Sequence, residues 1–136
     1  MARKYNVAVT NPPYLGNSRF NEKMGAFIKE HYPDEKADLA MAMLNRLIWG
    51  FTQKNGYAAA ITTVSWMYLK SFKNFRLKMI AQSDFMCLVD FGTELFDGKV
   101  GHLPVAAWIS RNSRYSSSMP SVRLVDYCYS LRDKEN

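Results

Sequence analysis

The chain has few of the residues that hold metals or staple small folds: two cysteines and two histidines among 136 residues. Cys87 and Cys128 each lie in an apolar stretch, which predicts buried, reduced core thiols. His31 and His102 stand far from each other and from either cysteine, without C-x-x-C or H-E-x-x-H spacing. No metal site is expected, and His31 reads as a loop residue, His102 as a strand end. No apolar run approaches the ~18 residues that cross a bilayer, and Met1-Ala2-Arg3-Lys4-Tyr5-Asn6 lacks the apolar segment of a secretory signal. The expected location is the cytoplasm, with no membrane partner. Internal repeats and low-complexity tracts are absent. With 48% hydrophobic and 22% charged residues the composition is that of a globular chain with a real core, and its length fits one domain.

Acid is missing from Leu39 to Ser83, a window holding Arg46, Lys54, Lys70, Lys73, Arg76 and Lys78. Elsewhere twelve bases face twelve acids, so the whole +6 net charge comes from this one segment. A one-signed patch concentrates polyanions and neutralises nucleic-acid phosphates without reading base sequence. A solvated helix face has the same composition, and charge alone does not choose between the two.

Tyr5 to Thr10 is a β-prone apolar run that stops at Asn11-Pro12-Pro13, and it reads as a buried strand feeding a loop. Met24, Phe27, Ile28 and Tyr32 predict a helix over Asn21 to Tyr32, stopped by Pro33-Asp34. A stronger apolar stripe from Leu39 to Phe51 predicts a helix from about Lys36 to Gln53, broken by Asn55-Gly56. Tyr57 to Val64 reads as a parallel strand covered on both faces. Ser71 is placed to cap a helix from Phe72 to Gln82, with Phe72, Phe75 and Met79 on one stripe. Met86 to Phe91 and Val105 to Ile109 are separated by thirteen residues, too few for a crossover helix, and should pair as an antiparallel hairpin. A Ser-rich connection from Arg111 to Pro120, a strand from Val122 to Tyr129 and a polar tail from Asp133 complete the chain. The pattern is that of an α/β sheet with one reversed strand.

Asn11-Pro12-Pro13-Tyr14 at the carboxyl end of a parallel strand carries the most chemical information, because open α/β sheets bind ligands at that edge. An exocyclic amino group on a base is a poor nucleophile, its lone pair being delocalised into the ring. Acceptors aimed at its N–H groups draw the nitrogen towards sp³. Asn11 offers a side-chain carbonyl and Pro12 a main-chain carbonyl, while two consecutive prolines fix φ and remove competing donors. Tyr14 adds an aromatic face for an extruded base, a contact of roughly 1–3 kcal/mol.

Asn-Pro-Pro-Tyr after an apolar strand resembles motif IV of the amino-methyltransferases that use S-adenosylmethionine, chiefly the N6-adenine DNA methyltransferases. Val9 to Gly16, His31-Tyr32-Pro33-Asp34 with Asp38-Leu39, and Ser65 to Leu69 with Ser71-Phe72 and Phe75-Arg76 resemble in particular the large adenine-specific methyltransferases of BREX phage defence. This resemblance implies the C-terminal half of a Rossmann-like class I methyltransferase sheet, parallel strands plus a terminal antiparallel hairpin, flanked by helices. It implies that Asn11 and Pro12 accept from the N6 amino group, that Asn11 also borders the cofactor, and that Tyr14 and Pro13 contact the flipped adenine. It also implies a second aromatic contact from Phe96 and a cofactor-side acid at Asp38, for which a first-turn helix acid is the plain alternative. Lys70, Lys73 and Arg76 are candidates for DNA phosphates on charge alone, with solvated helix surface the plain alternative, and Trp66 and Tyr68 are expected to pack rather than to contact a base.

The family's glycine-rich cofactor loop lies upstream of motif IV, and no G-x-G occurs in this chain. Residues 1–136 therefore read as a partial catalytic domain, inactive alone, whose S-adenosylmethionine site is incomplete. The implied partners are double-stranded DNA, defence-system proteins, and a second copy through an exposed sheet edge. The alternatives are a methyltransferase acting on protein glutamine or RNA, and a non-catalytic DNA- or partner-binding module.

Overall fold

The computed structural model describes residues 3–93, 95–96, 103–113 and 119–124. Five strands form one sheet in the order β1-β2-β4-β3-β5: β1 Tyr5–Thr10, β2 Thr52–Thr63, β3 Asp84–Gly92, β4 Val105–Arg111 and β5 Ser121–Arg123. β1 and β2 are parallel, as are β3 and β5, while β4 runs antiparallel between β2 and β3. The antiparallel β3–β4 pairing agrees with the expected hairpin. The expected strand from Val122 begins within β5, and its continuation from Val125, with Cys128, His102 and the tail, falls outside the described residues.

The helices are α1 Glu22–His31, α2 Leu39–Asn45 and α3 Lys73–Gln82. Asn21 caps α1 by accepting from the Met24 amide at 2.8 Å. His31 is the last residue of α1, not a loop residue, with its ring edge-on to Phe27 at 4.4 Å between centroids. α2 starts three residues later than the periodicity suggested, because Asp38 accepts from the Ala40 amide at 2.8 Å and caps it there. It continues as a π-helical stretch, Arg46–Phe51, and ends where the Thr52 hydroxyl donates to the Leu47 carbonyl at 2.8 Å. Ser71 caps nothing: it sits in a 3-10 turn, Lys70–Phe72, that runs directly into α3.

Asn55-Gly56 does not terminate the helix but forms an irregularity within β2, with Asn55 at φ 66°. A Cβ on Gly56 would lie 2.8 Å from the Asn6 carbonyl oxygen, so only glycine fits this close approach.

Alternation along the strands sends one set of side chains to a helical layer. Ala58, Ala60 and Trp108 pack there against Met41, Leu44 and Ile48 from the α2 region and Phe72, Phe75 and Met79 from the α3 region. Thr62 sits in the same layer, its hydroxyl accepting from the indoles of Trp66 at 3.0 Å and Trp108 at 3.2 Å. The expected covering of both faces is not found among the described residues. Val9 is 70% exposed and Ile109 43%, and an open apolar depression of about 440 Å³ crosses that side of the sheet. Cys87 lines this depression half-buried instead of joining the core, because its register partner is Ile109 on the open face. β1 likewise is an exposed edge strand, since among the described residues it pairs on one side only.

Candidate functional site

The pairing pattern makes β1, β2 and β3 point the same way, so Thr10, Thr63 and Gly92 end at one sheet edge. Asn11-Pro12-Pro13-Tyr14 leaves β1 there, a turn over Val64–Met67 leaves β2, and Phe96 follows β3.

Pro12 is buried while Asn11 and Pro13 are exposed and Tyr14 is half-buried. The Tyr14 hydroxyl lies 3.0 Å from the Asn11 side-chain oxygen and 3.3 Å from the Ile61 carbonyl, tying the loop to β2. Burial raises the Tyr14 phenol above its ordinary 10.0, so it stays protonated and remains a donor across the neutral range. The amide oxygen of Asn11 has two lone pairs, and a proton from Tyr14 leaves one for a second donor.

The next residues are stitched to the segment before α2. The Asn17 amide donates to the Ala37 carbonyl at 3.0 Å, and the Leu39 amide to the Leu15 carbonyl at 2.9 Å. Asp38 sits at this junction, bridged to Gly16. Burial pushes its carboxyl above the ordinary 3.8, against the pull of backbone hydrogen bonds at Ala40 and Leu15. Its evident work in the structure is to cap α2 and brace the Asn-Pro-Pro-Tyr loop.

Lys70 and Lys73 are exposed. Arg76 is half-buried, its Nη1 donating to the Trp66 and Leu69 carbonyls at 2.7 Å each, so it secures the turn after β2. Lys78 lies over the Trp49 ring at 3.9 Å, and Lys54 stands near the amino end of β2, opposite the site. The acid-free window is therefore divided between surface, packing and two ends of the sheet. Phe96 is half-buried on the site's edge. Trp66 packs as expected, but Tyr68 does not: it is 63% exposed.

Sequence reasoning missed Asp90 and Arg123, which pair at 3.8 Å on this edge. Their sole signal was the register of β5 on β3, which a three-residue strand does not announce. Among the described residues no three His, Cys, Asp or Glu side chains gather as a metal site would require. The residues present do not by themselves cradle S-adenosylmethionine either, since the Asp38 carboxylate is already engaged by backbone and no glycine loop is in the sequence. What they provide is a set of acceptors with aromatic side chains beside them.

The family model described as Eco57I restriction-modification methylase matches residues 1–96. The adenine-specific methyltransferase BrxX of Escherichia coli O9:H4 strain HS is 30% identical over 128 residues, 93% of this chain and 10% of that protein. The adenine-specific methyltransferase PglX of Lacticaseibacillus casei strain Zhang is 30% identical over 129 residues, 93% of this chain and 11% of that protein. The chain thus spans about a tenth of the length of the curated relatives it matches. Among solved structures, the modification subunit of a putative type I restriction enzyme from Vibrio vulnificus YJ016 superposes with a TM-score of 0.69 at 13% identity, over 89% of this chain and 25% of that one. That likeness, and that to a putative class I S-adenosylmethionine-dependent methyltransferase from Listeria monocytogenes (TM-score 0.63, 8% identity, 90% of this chain and 37% of that one), agree with the expected Rossmann-like class I sheet.

Proposed function

The chain belongs to the Eco57I restriction-modification methylase family, and on that premise we propose that it supplies the base-binding part of an N6-adenine DNA methyltransferase. In this reading residues 1–136 are part of a larger catalytic domain. The methyl donor is S-adenosylmethionine, held mainly by residues outside this chain, and the protein works on DNA in the cytoplasm, with phage-defence proteins as partners.

The observation that carries the reading is the Tyr14 hydroxyl at 3.0 Å from the Asn11 side-chain oxygen, at the carboxyl end of a parallel strand. An adenine turned out of the duplex stacks on Tyr14, with Pro13 and Phe96 beside it. Its N6 amino group donates to the free lone pair of the Asn11 oxygen and to the Pro12 carbonyl. Two acceptors on one nitrogen oppose its delocalisation into the ring, which exposes the lone pair for attack. Asp38 braces the loop, and Lys70 and Lys73 face the phosphates while Arg76 holds the turn that displays Lys70.

The test is to incubate the full-length protein with S-adenosylmethionine and DNA, digest the DNA and identify the methylated nucleoside. N6-methyladenine that disappears with Asn11→Ala supports the reading. A methyl group found only on protein glutamine or on RNA overturns it.

A further inference from the structure

A second cavity, of about 420 Å³, opens on the same sheet edge between the turn after β2 and the end of β3. Tyr68, Asp90, Thr93 and Arg123 line it together with Met67 and Pro104. Hydrogen bonds hold the Tyr68 turn and Asp90 in place. Tyr68 is 63% exposed, yet the turn that carries it is pinned by Arg76 at the Trp66 and Leu69 carbonyls and by the buried Trp66 indole on Thr62. Asp90 Oδ1 accepts from the Gly92 amide at 3.0 Å, and Oδ2 faces Arg123 Nε at 3.8 Å. The Arg123 side chain is 66% exposed, which leaves guanidinium donors at the cavity mouth.

An aromatic ring held out in solvent contributes little to the core, and this one stands beside a fixed carboxylate and an open guanidinium. A bare phosphate would meet the Asp90 charge. A base bearing an exocyclic amino group satisfies all three: its face on Tyr68, its amino group on Asp90, its neighbouring phosphate on Arg123. The volume is in the range of small-ligand pockets, ~300–1,000 Å³. Adjacent strands lie ~4.8 Å apart, so the end of β3 is roughly 14 Å from the end of β1. One nucleic-acid strand, rising ~3.4 Å per stacked nucleotide, covers that distance in a few nucleotides.

We infer that this cavity is a second base subsite, which holds an amino-bearing base flanking the target and so contributes to sequence preference. The inference rests on the nucleic-acid reading above. Its test uses the full-length protein and duplexes carrying an abasic site at each position flanking the methylated adenine. Wild type should lose about tenfold in kcat/KM at one flanking position, consistent with one lost stack. Tyr68→Ala should show that loss on intact DNA and none further on the abasic duplex, while Tyr68→Phe behaves as wild type. Asp90→Asn, which keeps an oxygen for Gly92 and adds a donor, should shift the preference at that position towards a base presenting a carbonyl. Wild-type kinetics for Tyr68→Ala, or an unchanged base preference for Asp90→Asn, overturns the subsite and leaves the methyltransferase reading standing. Absence of any DNA methylation by wild type overturns both.

Discussion

Tyr14 and Asn11, three residues apart, are linked through a phenol proton at 3.0 Å, which ties the ring proposed to stack on a base to the oxygen proposed to accept from its amino group. Removing the hydroxyl alone separates stacking from orientation. Tyr14→Phe in the full-length protein should keep DNA affinity and lower the rate of methyl transfer about 5- to 10-fold, the worth of one hydrogen bond near 1 kcal/mol. Tyr14→Ala should also weaken DNA binding, by about 1–3 kcal/mol for the lost stack. Single-turnover rates and equilibrium binding separate the two effects, and equal rates for wild type and Tyr14→Phe would show that the hydroxyl orients nothing.

Thr62 accepts from two buried indoles at once. Thr62→Val preserves shape but strands both N–H groups, at a cost of about 1–3 kcal/mol each. Thermal unfolding of Thr62→Val should fall well below that of Thr62→Ser, which keeps the acceptor.

Asp38 both caps α2 and braces the Asn-Pro-Pro-Tyr loop. Asp38→Ala should cost about 1 kcal/mol of stability from the lost cap and lower transfer activity further. Asp38→Asn retains a side-chain acceptor for Ala40 and should restore most of the stability, as denaturant titration can measure.

Glu35 is 2% exposed and held to Asn45 Nδ2 at 2.5 Å. Burial raises its carboxyl above the ordinary 4.5, outweighing the opposing Asn45 hydrogen bond and Lys78 charge. A carboxyl raised on folding favours the folded state below its ordinary value and loses that contribution as the pH climbs through the raised one. Glu35→Gln, always neutral, should therefore melt higher than wild type near neutral pH and lose the advantage below about pH 4. A lower melting temperature at pH 7 would mean that the Lys78 and Asn45 contacts outweigh burial.

The open sheet face carries Val9, Ile61 and Ile109, and among the described residues β1 pairs only with β2, leaving its outer side open. Isolated residues 1–136 should self-associate in sedimentation, and Ile109→Lys should shift them towards monomer. A wild-type monomer at every concentration would remove the expectation.

Much of the fold was legible locally. The Pro12-Pro13 stop defined the end of β1, the Phe72, Phe75, Met79 stripe defined the buried side of α3, and the short connection between β3 and β4 forced an antiparallel pair. Element boundaries were less legible where side chains decide them by capping: Asp38 delays α2 and Thr52 ends it, through hydrogen bonds that periodicity does not register. Arg76 looked like a surface cation because charge in sequence says nothing of which carbonyls fold beneath it.

The amino-acid sequence by itself determined the groups on which the proposed chemistry rests: the Asn-Pro-Pro-Tyr acceptors, the two prolines that fix φ in their turn and the strand that presents them are all encoded within ten consecutive residues. Tertiary structure alone decided which groups share the edge with them. Tyr68, Asp90 and Arg123 are separated by up to 55 positions and meet because β5 pairs with β3 in register and Arg76 holds the turn after β2. Such meetings depend on long-range pairing free energy, which no local stretch of residues contains.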